Sequence, residues 1–188
     1  AVGYQAGYSN TTGDYSTMVG WSAGYANTTG SIEAFGAGAL DANTTGTFNA
    51  ALGRSALTSN TTGNNNVAIG YASLLLNTTA SENTAVGYQS LYANTTGARN
   101  TSVGFQALQF STASDNTAVG RAALSNTSSG ANNTALGSRA GVEITTGASN
   151  VAVGVQSLAS NTTASNNTAV GYQAGYSKTT GNNNTFVG

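Results

Sequence analysis

The 188-residue chain has no cysteine, histidine or proline, and only 6% of its residues are charged. Soluble domains average about 25% charged residues. Metal sites of the His/Cys type are therefore excluded, and the groups that usually perform acid–base catalysis are scarce. The six carboxylates are spread along the sequence. We expect a protein without catalytic residues, a metal site or a cofactor.

The chain also lacks a surplus of positive charge. It carries five Lys and Arg residues against six Asp and Glu residues, for a net charge of −1. Nucleic acids and anionic membranes are bound through clustered basic residues, so neither is an expected partner. No apolar run approaches the roughly 20 residues of a membrane span. Hydrophobic residues nevertheless make up 39% of the chain and recur regularly, which distinguishes it from a disordered polar segment.

A tandem repeat dominates what is present. One glycine per repeat, called here the anchor glycine, recurs at intervals of 17 residues in nine cases and 16 in two. Such a period identifies an array of equivalent structural units. The anchors are Gly3, Gly20, Gly36, Gly53, Gly70, Gly87, Gly104, Gly120, Gly137, Gly154, Gly171 and Gly188.

The pattern around each anchor predicts a parallel β-solenoid. A large apolar residue precedes the anchor, Ala or Ser stands three residues after it, and Leu or Gly stands four after it. An NTTG-like turn begins seven residues after the anchor, and Asn stands four before the next anchor in nine of eleven units. Seventeen residues are too few for a helical repeat, and regularly spaced glycines cost a helix about 1 kcal/mol each. We predict an all-β fold of about eleven stacked coils, each with two short strands meeting at the anchor, and asparagines stacked in hydrogen-bonded ladders.

The repeat covers the whole sequence in one phase. Residues 1–188 are therefore interpreted as a single tandem-repeat segment without capping repeats at either end. Open strand edges can template further pairing. We expect the segment to belong to a longer array or to stack end to end as a fibre.

The stretches NNVAIGYASL (65–74) and SNVAVGVQSLA (149–159) resemble the head repeats of YadA-like trimeric autotransporter adhesins. They are also similar to NTAVGYQAL-type repeats of phage tail fibres and extracellular tandem-repeat proteins. The first resemblance implies a left-handed parallel β-roll, three chains side by side, and an adhesive role outside the cell. The present coils are longer and carry an additional NTTG turn.

Twelve asparagines stand in N-x-S/T sequences, the acceptor pattern for N-linked glycans. The turn that carries most of them has Ile144, Ser111 or Lys178 in other units, so we expect an exposed position that the fold does not require. Asparagine can instead start a turn by bonding its own backbone, and that interpretation stays open. The candidates are Asn10, Asn27, Asn43, Asn60, Asn77, Asn94, Asn126 and Asn161, with Asn100, Asn132, Asn166 and Asn183 on the opposite turn.

Two further columns follow from the stacking of coils. Tyr71, Tyr88 and Phe105 directly follow successive anchors and should stack, either as packing partners or as a platform for sugars. Tyr8 and Tyr25 form a similar pair. Glu82, Arg99 and Asp115 alternate in sign on successive coils and predict an ion-pair ladder that fixes register.

The sequence thus predicts a non-enzymatic structural fibre, extracellular or on the cell surface, glycosylated on its NTT turns. Its expected partners are further copies of itself, end to end or as a homotrimer, and covalently attached glycans. The alternative is an adhesin or phage tail-fibre module that binds a surface receptor or polysaccharide. A third reading, ice binding through regularly spaced threonines, is disfavoured because the threonines are adjacent and lie in a turn.

Overall fold

The computed structural model describes residues 1–177 and 179–188, so that Lys178 lies outside the described residues. The described chain forms eleven short strands in one parallel sheet, ordered as they occur in the sequence. This confirms the all-β fold and the parallel β-solenoid. The strands are β1 (Thr17–Val19), β2 (Ile32–Phe35), β3 (Asn49–Leu52), β4 (Val67–Ile69), β5 (Thr84–Val86), β6 (Thr101–Val103), β7 (Thr117–Val119), β8 (Thr134–Leu136), β9 (Val151–Val153), β10 (Thr168–Val170) and β11 (Thr185–Val187).

The register repeats the sequence period. Ala68 in β4 pairs with Ala85 in β5, and Ile69 pairs with Val86. Because side chains alternate across a strand, the residue two before the anchor, which is alanine in most coils, points into the coil while its neighbours point outward. Ala68 and Ala85 are fully buried, whereas Ile69 is 38% exposed.

Each coil contains one strand, and the prediction of a second strand after the anchor is wrong. The segment that follows the anchor is a turn in which alternate residues are left-handed, as in Gln89 (φ 50°) and Leu91 (φ 53°). The amide of Gln89 donates to Tyr71 O in the preceding coil, and the amide of Leu91 donates to Ala107 O in the following coil. The turn therefore bonds to both neighbouring coils without adopting extended backbone.

The anchor glycine is required by both conformation and space. Gly87 has φ +134°, which side-chain-bearing residues rarely adopt. A Cβ atom at this position would lie 2.7 Å from the carbonyl carbon of Gly104 and closer still to its oxygen. The stacked glycines thus let successive coils approach closely along one corner of the solenoid.

The core consists of a column of small residues, mostly alanine, beside a column of larger ones, mostly leucine. In most coils a buried leucine four residues after the anchor, such as Leu57, Leu74 or Leu91, fills the interior beside the buried alanines. Where glycine replaces that leucine, a larger side chain occupies the space: Ile144 lies against Gly141, and Phe186 against Gly175. Core volume is therefore conserved from coil to coil, as close packing demands.

Candidate functional surfaces

The asparagine that begins an NTTG-like turn lies inside the solenoid in every such turn except the first, where Asn10 is exposed. Asn60 donates from Nδ2 to Asn43 Oδ1 at 2.7 Å and to Gly63 O at 3.0 Å, and its own Oδ1 accepts from Asn77 Nδ2 at 2.8 Å. The same side-chain contact links successive turns from Asn10 to Asn94. We call this column the turn ladder.

The turn ladder overturns the expectation that these acceptor asparagines are exposed. Six of the predicted glycosylation candidates have no solvent-exposed surface: Asn27, Asn43, Asn60, Asn77, Asn94 and Asn161. An N-linked sugar replaces one hydrogen of Nδ2, but in the ladder Nδ2 is enclosed and donates its hydrogen bonds within the fold. A glycan on these atoms is therefore incompatible with the closed coil.

The substitutions in this column are also buried, contrary to the expectation that the fold does not require the position. Ser111 and Ile144 are fully enclosed. Ile144 fills the space beside Gly141 and interrupts the ladder. Thr127 occupies the same column, and its Oγ1 is buried without a hydrogen-bond partner in the described part of the chain. The Lys178 prediction falls on the residue outside the described range.

A second column, called here the strand ladder, is formed by the asparagines four residues before the anchors. Asn66 Nδ2 donates to Asn49 Oδ1 and to Ala80 O, while its backbone amide donates to Asn49 Oδ1. Asn77 Nδ2 of the turn ladder donates to the same Ala80 carbonyl. The two ladders therefore hold one turn carbonyl from both sides. Asn100 belongs to the strand ladder and is 1% exposed, so it too lies inside the coil and not on an exposed turn.

The remaining acceptor asparagines reach solvent. Asn132, Asn166 and Asn183 are exposed and have left-handed backbone, with φ between 58° and 60°. Asn126 is half-buried and donates from Nδ2 to Glu143 at 3.1 Å, and Asn10 is exposed. Of the twelve candidates, these five are the ones whose side chains are not enclosed.

An apolar stripe runs along the outer face of the sheet. The large apolar residues that precede the anchors stack from coil to coil and point outward. Leu52 is 54% exposed and Leu136 is 50% exposed. We call their column the strand-face stripe. The signal in the sequence is the alternation around the alanine, which places alanine inside and the larger residue outside. Its members are Val2, Val19, Phe35, Leu52, Ile69, Val86, Val103, Val119, Leu136, Val153, Val170 and Val187.

Aromatic side chains stack beside this stripe. The rings of Tyr71 and Tyr88 lie 5.3 Å apart, those of Tyr88 and Phe105 lie 5.1 Å apart, and all are nearly parallel. Arg54 continues the column, with its guanidinium carbon 5.9 Å from the Tyr71 ring centre. Tyr8 and Tyr25 form a separate stacked pair at 5.3 Å. In the longer column the middle ring is covered on both faces, which favours packing over sugar binding at that ring.

The charged column forms one ion pair. Arg99 donates to both carboxylate oxygens of Asp115, at 2.7 and 2.9 Å. Hydrogen bonding to Arg99 holds the pKa of Asp115 below its ordinary value, and the same contact raises the pKa of Arg99. Within the described residues Glu82 makes no ion pair, although its charge also raises the pKa of Arg99. Separately, burial raises the pKa of Asp41.

The outer surface has a shallow hollow and few charged residues, which make up 6% of the chain. A shallow hollow of about 380 Å³ lies on the sheet face between Phe35, Leu52 and Ile69, with Glu33 at its edge. Across residues 1–177 and 179–188, no three His, Cys, Asp or Glu side chains are grouped so that they could hold a metal ion. Nor does this part of the chain contain a helix with the length and apolar character needed to cross a membrane.

Comparison of the chain with protein-family models, curated proteins and solved structures finds no match.

Proposed function

We propose that this chain is a segment of a non-enzymatic extracellular structural fibre, in which rods associate side by side through the strand-face stripe. The stripe is the observation that carries the proposal. It places a large apolar residue on the outer surface of every coil, and seven of its twelve members are at least 38% exposed. A contiguous apolar surface of this kind typically marks a site of association.

The dimensions of the stripe favour another rod as its partner. Twelve positions spaced about 4.8 Å apart extend for roughly 50 Å, which gives about 500 Å² at a width of about 10 Å. Stable interfaces bury about 800 Å² on each partner, so the twelve positions of this chain alone supply less than one such interface. The stripe grows with each added coil, so longer arrays would associate more strongly. The resemblance to YadA-like head repeats supports three chains side by side as the arrangement.

The extracellular location and the glycans belong to the same proposal. With 6% charged residues, the rod has little electrostatic repulsion to keep fibres apart. Sugars on exposed acceptors would supply a hydrated layer. Among the asparagines, the exposed Asn132, Asn166 and Asn183 are compatible with such a layer, whereas the ladder asparagines are not.

Charge placed in the stripe tests the association. The double variant Leu52→Lys/Ile69→Lys should remain folded but shift toward single rods in sedimentation velocity and electron microscopy. Leu76→Lys is the matched control, because Leu76 is similarly exposed but lies in the turn after β4. Rods that remain associated in the double variant, or dissociate equally in the control, would contradict a role for the stripe.

Adhesion is the second candidate function, favoured by exposed aromatic residues near β1. Trp21 is 59% exposed, Tyr8 is 68% exposed, and Tyr8 stacks on Tyr25. Aromatic faces of this kind can hold sugars. Binding of unmodified recombinant protein to a glycan array, lost in Trp21→Ala or Tyr8→Ala and retained in Phe48→Ala, would favour the adhesin. Phe48 is a suitable control because it is 70% exposed and directly precedes β3, whereas Trp21 and Tyr8 follow anchor glycines.

A further inference from the structure

The two adjacent threonines of each NTTG turn have different roles. The first threonine donates its hydroxyl to the backbone of the next coil: Thr44 Oγ1 lies 3.0 Å from Thr61 O, and Thr61 Oγ1 lies 3.0 Å from Thr78 O. Equivalent bonds recur through Thr145 and Thr162. This hydroxyl is therefore part of the fold.

The second threonine does not donate a hydrogen bond to the next coil. Its side chain is exposed in every coil that has it, and its hydroxyl makes no hydrogen bond to any described residue. The residues that hold this position are Thr12, Thr29, Thr45, Thr62, Thr79, Thr96, Ser129, Thr146, Thr163 and Thr180. The coil that lacks it is the 16-residue coil after Gly104, whose turn reads Ser111-Thr112-Ala113.

Several exposed positions vary widely among the eleven coils of the chain. The exposed position directly after the anchor is Tyr, Trp, Ala, Arg, Phe, Ser or Val in different coils, and the position five before the anchor varies as widely. Buried positions keep a narrow set of residue types, such as Leu or Gly four residues after the anchor, because they pack. The second turn position keeps a hydroxyl in ten of eleven turns although that hydroxyl makes no hydrogen bond to a described residue, which indicates a requirement outside the hydrogen bonding of the rod.

We propose that these second hydroxyls are the sites of O-linked glycosylation, and that the column they form is the main sugar-bearing edge of the rod. The proposal rests on the extracellular fibre proposed above and names its modification site. Asparagine in the same turn is enclosed by the turn ladder, and the first threonine is hydrogen-bonded. The second hydroxyl is the group in the NTT sequence that can carry a sugar without breaking a contact of the coil.

The chemistry is a glycosyl transfer from an activated sugar, a sugar phosphate ester linked to a nucleotide or lipid. Threonine Oγ1 attacks the anomeric carbon and forms the new C–O bond. The bond between that carbon and the phosphate oxygen breaks, and the phosphate group leaves with the bonding electrons. The hydroxyl proton passes to a base of the transferase. Because the acceptors repeat at about 4.8 Å, the attached chains must project away from the rod axis.

Peptide mapping by electron-transfer mass spectrometry of protein from its natural host tests the assignment. Added sugar mass should reside on the second hydroxyl of the turns and should be released by alkaline β-elimination, which cleaves O-linked and not N-linked sugars. Bare second threonines, or sugar carried equally by the first threonines, would overturn the proposal. So would sugar on Asn60 and its ladder equivalents.

A matched pair of variants made in the same host adds a structural readout. Thr62→Val should remove the sugar mass at that turn without changing the urea midpoint of the deglycosylated protein. Thr61→Val should keep that mass and lower the midpoint, because its hydroxyl bonds to Thr78 O. If Thr62→Val lowers the midpoint as much as Thr61→Val, the second hydroxyl has a folding role and the proposal fails.

The failure of this proposal is distinguishable from failure of the proposed fibre. Secreted, laterally associated rods with bare second threonines would leave the fibre intact and refute the glycan edge. Thermal hysteresis of the host-derived protein together with bare threonines would assign the column to ice instead and would likewise overturn it. Protein retained inside the cell as single rods would refute the proposed function.

Discussion

Substitution of one anchor glycine tests how the coils stack. In Gly87→Ala, a side chain would be forced onto a backbone with φ +134°, at a strain of about 1–3 kcal/mol. The added Cβ would also collide with the Gly104 carbonyl. Separating the coils there weakens the bonds from Gly87 N to Ile69 O and from Gly104 N to Val86 O, each 2.7 Å long and each worth about 0.5–1.5 kcal/mol. We expect a total loss of about 2–6 kcal/mol in the free energy of unfolding, measured by urea titration with circular dichroism.

Gly63→Ala is the matched control, because it makes the same chemical change in the NTTG turn. A Cβ at Gly63 would also crowd a neighbouring carbonyl, that of Ala80. The chain nevertheless places Ala80 and Ala164 at this turn position in other coils, and the backbone there is not left-handed. The cost should therefore stay below about 1 kcal/mol. Equal losses in Gly63→Ala and Gly87→Ala would refute the reasoning, because general crowding and not the anchor conformation would then govern stacking.

Three further changes test the ladders, the core and the ion pair. Asn60→Ala removes three side-chain hydrogen bonds and leaves ladder partners unpaired, so urea titration should show a loss of about 2–4 kcal/mol in the free energy of unfolding. A loss no larger than that caused by substituting an exposed threonine would contradict a buried ladder. Gly141→Leu should overpack the core by about 1–3 kcal/mol, and adding Ile144→Asn should recover most of that loss; purely additive effects would mean that the two sites do not share space. Because Arg99 lowers the folded pKa of Asp115, the pair stabilises the fold above the unfolded aspartate pKa of about 3.9 and loses that effect as pH falls through the lower folded value. Arg99→Ala should remove this part of the pH dependence of urea stability; an unchanged profile would show that the exposed pair contributes nothing measurable.

The coil architecture could be predicted from the sequence because it depends on period. Stacking brings equivalent residues together whatever the shape of the coil, so asparagine meets asparagine and tyrosine meets tyrosine. Register in a parallel sheet follows directly, as the pairing of Ala68 with Ala85 shows. The same reasoning placed Arg99 beside Asp115. It did not require knowledge of which side chains face inward.

The direction of each side chain could not be predicted with the same success, and the errors share that cause. Left-handed backbone at Gln89 and Leu91 replaces the expected second strand. The residue types there do not predict this conformation, because leucine is not typical of left-handed turns. The turn asparagine matched an acceptor sequence, which describes three neighbouring letters and not orientation. The signal in the sequence for the burial of this asparagine is Ile144 in the same column, because isoleucine at an exposed turn would be unfavourable.

The inward and outward columns assign separate tasks to separate residues. Asparagines, alanines and leucines inside the coil form the ladders and the core, and most coils keep them because equivalent residues stack on one another. Where one changes, as at Gly141, a neighbouring residue such as Ile144 compensates for the volume. Outside, the strand-face stripe keeps a large apolar residue in every coil and the second turn position keeps a hydroxyl in ten of eleven turns. A large apolar residue in solvent gains nothing from exposure, and an unbonded hydroxyl gains nothing from the fold. We therefore assign both outward columns to partners outside the single rod, as proposed above: another rod for the stripe and a covalent sugar for the hydroxyls.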